Sequence, residues 1–130
     1  MKKKILTVDD EHQAREIIIT MLEENEYTPL IAKNGEEALK IIKEEAPDLI
    51  ILDVLMPAKS GIKLYRELKT TESLKKIPVV ICSGVARRTF LRTYIAPSKR
   101  GRESLPEPDA YMEKPVKPDA LAKLIKKLVN

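Results

Sequence analysis

Leu49-Ile50-Ile51-Leu52-Asp53-Val54-Leu55-Met56-Pro57 is the stretch on which the fold turns. Four large apolar residues in succession leave no polar alternate, so a strand made of them must be covered on both faces, the habit of parallel sheets flanked by helices. A carboxylate closes the run. Outward from it the pattern repeats: Ile5-Leu6-Thr7-Val8 is closed by Asp9-Asp10, and Ile77-Pro78-Val79-Val80-Ile81-Cys82 by Ser83-Gly84. Lys114-Pro115 follows a further short strand-like stretch.

Helical repeats fill the intervals. Ala14, Ile17, Ile18, Met21 and Leu22 recur at i, i+3, i+4, i+7 and i+8, which predicts an amphipathic helix with these residues on its apolar face. A strand is expected over 28–32. Asn34 then caps a helix with Glu37 at its third position, as in a capping box, carrying Ala38, Leu39 and Ile42 and stopping before Pro47. Ile62, Leu64, Tyr65 and Leu68 mark a helix over 59–69. Leu121, Leu124, Ile125 and Leu128 mark another after Pro118, a residue suited to a first helical turn.

Strand and helix thus alternate five times, and the right-handed crossover rule turns that order into a doubly wound (βα)5 α/β fold with helices on both sides of a parallel sheet. In the flavodoxin-like strand order 2-1-3-4-5, ligands bind at the carboxyl ends of the strands where the order reverses, between the first and third. Asp9 and Asp10 are therefore expected beside Asp53. Carboxylates ionise near pH 4, about three units below neutrality, so the three would repel one another. A divalent cation would remove that repulsion.

At 130 residues the chain fits one domain, expected to span 1–130. Its 43% hydrophobic and 34% charged residues, with no low-complexity tract, exclude disordered and fibrous classes. The apolar run after Lys2-Lys3-Lys4 is too short for a secretory signal, and no stretch approaches the roughly 20 residues that span a bilayer. A lone Cys82 excludes an internal disulfide and any multi-cysteine metal site, and it reads as a buried hydrophobe. The expected compartment is the cytoplasm, with no membrane partner. His12 is expected to be exposed in the first helix turn rather than to serve as a ligand.

Taken together, Asp9-Asp10, Asp53 to Pro57 with Gly61, Ser83-Gly84 and Lys114-Pro115, in this order and over nearly the whole chain, resemble the receiver domain of bacterial two-component response regulators, of the single-domain chemotaxis type. The resemblance implies that Asp53 is the phosphoacceptor for a sensor histidine kinase or phosphotransfer protein. It implies Mg²⁺ as cofactor, with Asp10, Asp53 and the backbone carbonyl of Leu55 as ligands and Asp9 acting through water. Lys114 and Ser83 would contact the phosphoryl group, helped by the backbone N–H groups of Val54 and Gly84. Ser83 and Tyr111 would form the switch, the ring turning inward as the hydroxyl moves, and Lys114-Pro115 matches a cis peptide.

Such a chain is not a dedicated enzyme, although it assists its own phosphotransfer and dephosphorylation. With no output domain after Asn130, its message is expected to reach a separate protein target. The alternative is a phosphorylation-independent interaction module on the same fold. Leu55 and Val85 are apolar where the family's polar residues help to orient an attacking water, so slow dephosphorylation is expected.

One interval departs from the pattern. Ser83 and Lys114 lie 31 positions apart (114 − 83), longer than in the family, and Pro97, Gly101, Pro106 and Pro108 argue for an extended loop near 96–108 or a shortened fourth helix followed by a loop. Arg87, Arg88, Arg92, Lys99, Arg100 and Arg102 make 87–102 basic with no acid, although the net charge is only +4. That segment, above all the trio Lys99, Arg100 and Arg102, is expected either to form a partner-specific surface, as for an acidic protein face, or to be a solvated, mobile loop. Nucleic acid is not expected, because only Phe90 and Tyr94 offer aromatic rings there.

Overall fold

The computed structural model describes residues 1–129; the side chain of Lys59 and the whole of Asn130, the last position of the expected domain, lie outside the described residues. In chain order the elements are β1 (Lys4–Val8), α1 (His12–Glu24), β2 (Thr28–Ala32), α2 (Gly35–Glu45), β3 (Leu49–Leu52), a 3-10 turn (Pro57–Lys59) and α3 (Ser60–Thr70). β4 (Val79–Ser83), α4 (Arg87–Phe90) with a π-helical turn (Leu91–Ile95), β5 (Ala110–Glu113) and α5 (Pro118–Val129) complete the chain. The strands form one parallel sheet in the order β2-β1-β3-β4-β5.

Strand side chains alternate between faces, and this splits the core in two. Leu6, Val8, Ile50, Leu52, Val79 and Ile81 pack on one face with residues of α2, α3 and α4. Ile5, Leu49, Ile51, Val80 and Cys82 pack on the other with α1 and α5. Where both faces are covered, in β3 and most of β1 and β4, the strands read as apolar runs, Thr7 and Ser83 being the buried polar members. Ile17 departs from the expected apolar face of α1, being 44% exposed. The buried stripe is instead Ala14, Arg15, Ile18, Met21 and Leu22, so that a guanidinium takes a place in it.

Local signals act much as their chemistry requires. Asn34 accepts from the Glu37 N–H at 2.8 Å, but the Glu37 carboxylate accepts from Lys33 rather than from the cap residue itself. α2 stops at Ala46, held in the left-handed region at φ 48°, and Pro47 follows. β4 runs one residue further than the sequence suggests and starts two later: Pro78 has no N–H to give, and only its carbonyl joins the ladder, accepting from Ile50.

The long interval after β4 is a folded loop. α4 is a single turn that widens into the π turn, whose closing bond runs from the Ala96 N–H to Leu91 O, and Pro97 permits no further turn. Residues 98–102 then fold on themselves, with the Ser98 hydroxyl accepting from the Arg100 and Arg102 N–H groups and Gly101 at φ 90°. Arg102 does not face outward as expected. Its guanidinium donates to the carbonyls of Thr93 at 2.8 Å and Ala96 at 3.0 Å, satisfying acceptors that the interrupted helix leaves free. The Tyr65 hydroxyl donates to Pro106 O, and Asp109 exchanges hydrogen bonds with Val79, leading the chain into β5.

A left-handed conformation costs an alanine about 1–2 kcal/mol, more than the backbone entropy that glycine adds. Ala46→Gly is therefore expected to raise stability by about 0.5–1 kcal/mol, read as a higher urea midpoint with an unchanged slope.

Candidate functional site

Ladder hydrogen bonds bring the polar strand ends together. Val8 pairs with Leu52, and the Asp53 N–H donates to Val8 O at 2.9 Å, so Asp9 and Asp53 leave the sheet side by side. Ser83 pairs with Glu113, and the Lys114 N–H donates to Ser83 O at 2.8 Å, which carries Lys114 to the same edge. One carboxylate oxygen from each of Asp9, Asp10 and Asp53 lies within 4.8 Å of the others. Asp9 and Asp53 are buried and Asp10 is exposed.

The Lys114 ammonium bridges the two buried acids, 3.0 Å from Asp9 and 3.1 Å from Asp53, with Glu11 at 3.7 Å. Burial works against its charge, but the two carboxylates outweigh burial and hold its pKa above the ordinary lysine value. Burial raises Asp9, opposed by the Glu11 N–H and Lys114 and reinforced by the charge of Asp53. Even without Glu11, the three aspartates outnumber the one ammonium, so negative charge is left unmatched within the cluster. At an effective dielectric of about 20, two such charges 4.8 Å apart repel by roughly 3 kcal/mol. Hard oxygen donors with unmatched negative charge fit a divalent cation, which Asp9, Asp10 and Asp53 could hold.

Local geometry aims these groups. The Leu55 N–H donates to Asp53 Oδ1 and the Glu11 N–H to Asp9 Oδ1, both at 2.9 Å, so each carboxylate is fixed by the turn that follows it. Ser83 is fully buried, and its hydroxyl accepts from the Val85 N–H at 3.2 Å. The half-buried Tyr111 hydroxyl donates to Val85 O at 2.6 Å, so this ring is already tied to the end of β4. Burial pushes its pKa up to about 12. Val54 is buried, whereas Gly84 and the Leu55 side chain are exposed at this edge. The Lys114–Pro115 peptide is cis. His12 is exposed and lies 3.5 Å from the Arg15 guanidinium, apart from the carboxylates' contacts.

Two contributors escaped the sequence reading. Arg15 is 9% exposed and donates to Asp9 O at 3.0 Å, pinning the loop that carries both first-strand acids. Its spacing of three and seven from Ile18 and Leu22 was the available signal, a charge on an apolar stripe. Glu11 supplies both an N–H and a carboxylate to the cluster, and nothing in its sequence context distinguishes it from a solvated acid.

Gly61 lets the first turn of α3 cross the site loop. A Cβ there would meet the Asp53 carbonyl and stand 2.6 Å from Val54 Cα, backbone that cannot yield without moving Asp53. Gly61→Ala is expected to cost about 1–3 kcal/mol in urea unfolding, the usual range for overpacking. An unchanged midpoint would show that the loop gives way freely.

The chain is similar to known proteins over nearly its whole length. The family model of the response regulator receiver domain matches residues 5–126. The phosphate regulon transcriptional regulatory protein PhoB of Escherichia coli is 33% identical over 130 residues, covering 100% of this chain and 53% of PhoB. The chain thus spans about half the length of this relative. Among solved structures, the signal receiver domain of a signal transduction histidine kinase from Syntrophus aciditrophicus is 34% identical with a TM-score of 0.79, covering 98% of this chain and 89% of that one. The chemotaxis response regulator CheY4 of Vibrio cholerae, 23% identical with a TM-score of 0.79, shares the fold over 98% of this chain and 99% of its own. With its acids, lysine and strand order arranged in this way, the chain belongs to the response regulator receiver domain family.

Proposed function

We propose that the chain accepts a phosphoryl group on Asp53 from the phosphohistidine of a sensor kinase or phosphotransfer protein and passes the resulting change of shape to a separate target protein. The observation that carries this reading is the Lys114 ammonium shared by Asp9 and Asp53 at the sheet edge. In the transfer, the phosphorus–nitrogen bond of the donor breaks as a phosphorus–oxygen bond to an Asp53 carboxylate oxygen forms, and the imidazole leaves with the electron pair. Mg²⁺, held by Asp10, Asp53 and the Leu55 carbonyl with Asp9 through water, would supply positive charge to the oxygens of the transferred group.

The remaining work falls to the chain itself. The Leu55 N–H fixes Oδ1 of Asp53 and the Lys114 ammonium sits on Oδ2 at 3.1 Å, so attack through Oδ2 would need the ammonium to shift toward the incoming group. Lys114, kept protonated by its two acids, offsets the approach of like charges. The Ser83 hydroxyl accepts from the Val85 N–H and keeps its own proton to donate to the phosphoryl group, and the neighbouring Tyr111 shares Val85 through its carbonyl. A change at Ser83 is thereby passed to a packed ring, and packed cores move between discrete arrangements. The chain assists its own phosphorylation and loss of phosphate and does not turn over a separate substrate.

Incubation with acetyl phosphate and Mg²⁺ is expected to add the mass of one phosphoryl group, seen by intact mass, and to add none to Asp53→Asn or in excess EDTA. An unmodified parent protein would favour the phosphorylation-independent interaction module. Leu55, 54% exposed, and Val85 offer no polar group to orient water. The phosphorylated form is therefore expected to decay slowly, and Leu55→Asn to shorten its half-life several-fold. Equal half-lives would refute this account.

A further inference from the structure

Arg15 belongs to the buried stripe of α1 and is 9% exposed, yet among the described residues it makes no ion pair. Charged side chains are seldom buried unless paired, and well-packed apolar residues in their place often serve stability as well or better. Folding alone does not account for a guanidinium here. What it holds is the carbonyl of Asp9, at 3.0 Å, with His12 Nδ1 at 3.5 Å.

The three aspartates are fixed in different ways. Asp9 Oδ1 accepts from the Glu11 N–H and Asp53 Oδ1 from the Leu55 N–H, and the Lys114 ammonium pairs with both residues. Asp10 is exposed, and among the described residues its carboxylate accepts no hydrogen bond and makes no ion pair. Its neighbours set its place. The Asp9 N–H donates to Ala32 O, the Asp9 carbonyl accepts from the Arg15 side chain, and the Glu11 carbonyl accepts from the Arg15 N–H, so one residue grips the chain on both sides of Asp10. The peptide joining Asp9 to Asp10 is planar, and holding its oxygen fixes the direction in which Asp10 leaves.

We infer that Arg15 is a positioning residue for the cation: by holding the Asp9–Asp10 peptide it aims the Asp10 carboxylate into the cluster and so sets the affinity for Mg²⁺. This rests on the metal reading of the three aspartates and stands apart from phosphorylation of Asp53.

The probe is Mn²⁺, followed by loss of the free ion's electron paramagnetic resonance signal, with Mg²⁺ as competitor, against the parent, R15M, R15Q and R15K. Both neutral variants are expected to bind either ion about tenfold more weakly, the low end of the range for a group that orients a metal ligand. R15K, whose ammonium can still donate to a carbonyl, is expected to stay within about threefold of the parent. The sign is informative, because removing a positive charge near the cluster would by itself tighten cation binding. Equal or tighter binding by a folded neutral variant, or R15K as weak as R15M, would overturn the inference. A lower urea midpoint with unchanged Mn²⁺ affinity would likewise assign Arg15 to the fold alone.

In phosphorylation by acetyl phosphate, followed by intact mass, the neutral variants are expected to need about tenfold more Mg²⁺ for the half-maximal rate and to reach the parent's maximum within about twofold. A lowered maximum at an unchanged half-point would overturn the assignment. A parent that binds Mn²⁺ but gains no mass would count against the phosphoacceptor reading and leave the titrations to decide Arg15. A parent that binds neither ion would overturn the inference together with the metal reading.

Discussion

A single ammonium, that of Lys114, holds two buried carboxylates at one edge of the sheet, and much of the molecule is arranged to let it do so. Removing a partner from a buried ion pair typically costs about 3–5 kcal/mol, because the charge left behind has no water to turn to. The pairing depends on register. Asp53 is fixed by its N–H to Val8 and Lys114 by its N–H to Ser83, so a slip of one residue in either strand would send these side chains to opposite faces. A strand apolar on both faces would bury apolar residues in either register, so the polar residues at the strand ends are what select this one.

The same constraint explains what the sequence made legible. β1, β3 and β4 could be read because both sides of the sheet are covered there, and the acids could be placed because the flavodoxin-like strand order sets the first and third strands side by side. Asn34, Pro47 and Pro118 marked helix ends through chemistry that acts over a few residues. The helix face of α1 was misjudged at Ile17 and Arg15, because a period shows which residues share a stripe but not which edge of it meets the sheet. Arg102 was misplaced for a related reason: its partners are carbonyls freed by a helix that stops early, and backbone acceptors leave no trace in the sequence. Glu11 was missed because its part depends on where the Lys114 side chain arrives from the far end of the chain.

The interval between β4 and β5 shows how an inserted segment keeps order without a core of its own. Pro97 ends the helical turn, Arg102 covers the exposed carbonyls, Ser98 closes the turn, and Tyr65 and Asp109 fasten the return. Buried polar groups seldom go without partners, and here they are drawn both from the insertion and from Tyr65 and Val79 beside it. A surface built this way can differ from those of other members of the family while the sheet edge stays as it was.

Tyr65, Tyr94 and Tyr111 all have their rings within 6 Å of Phe90, centroid to centroid. The chain has four tyrosines, one phenylalanine and no tryptophan. Ultraviolet emission and near-ultraviolet dichroism therefore arise chiefly from this one cluster, with Tyr27 the remaining chromophore. The protein carries its own optical gauge, seated between the carboxylates and the arginine-rich loop.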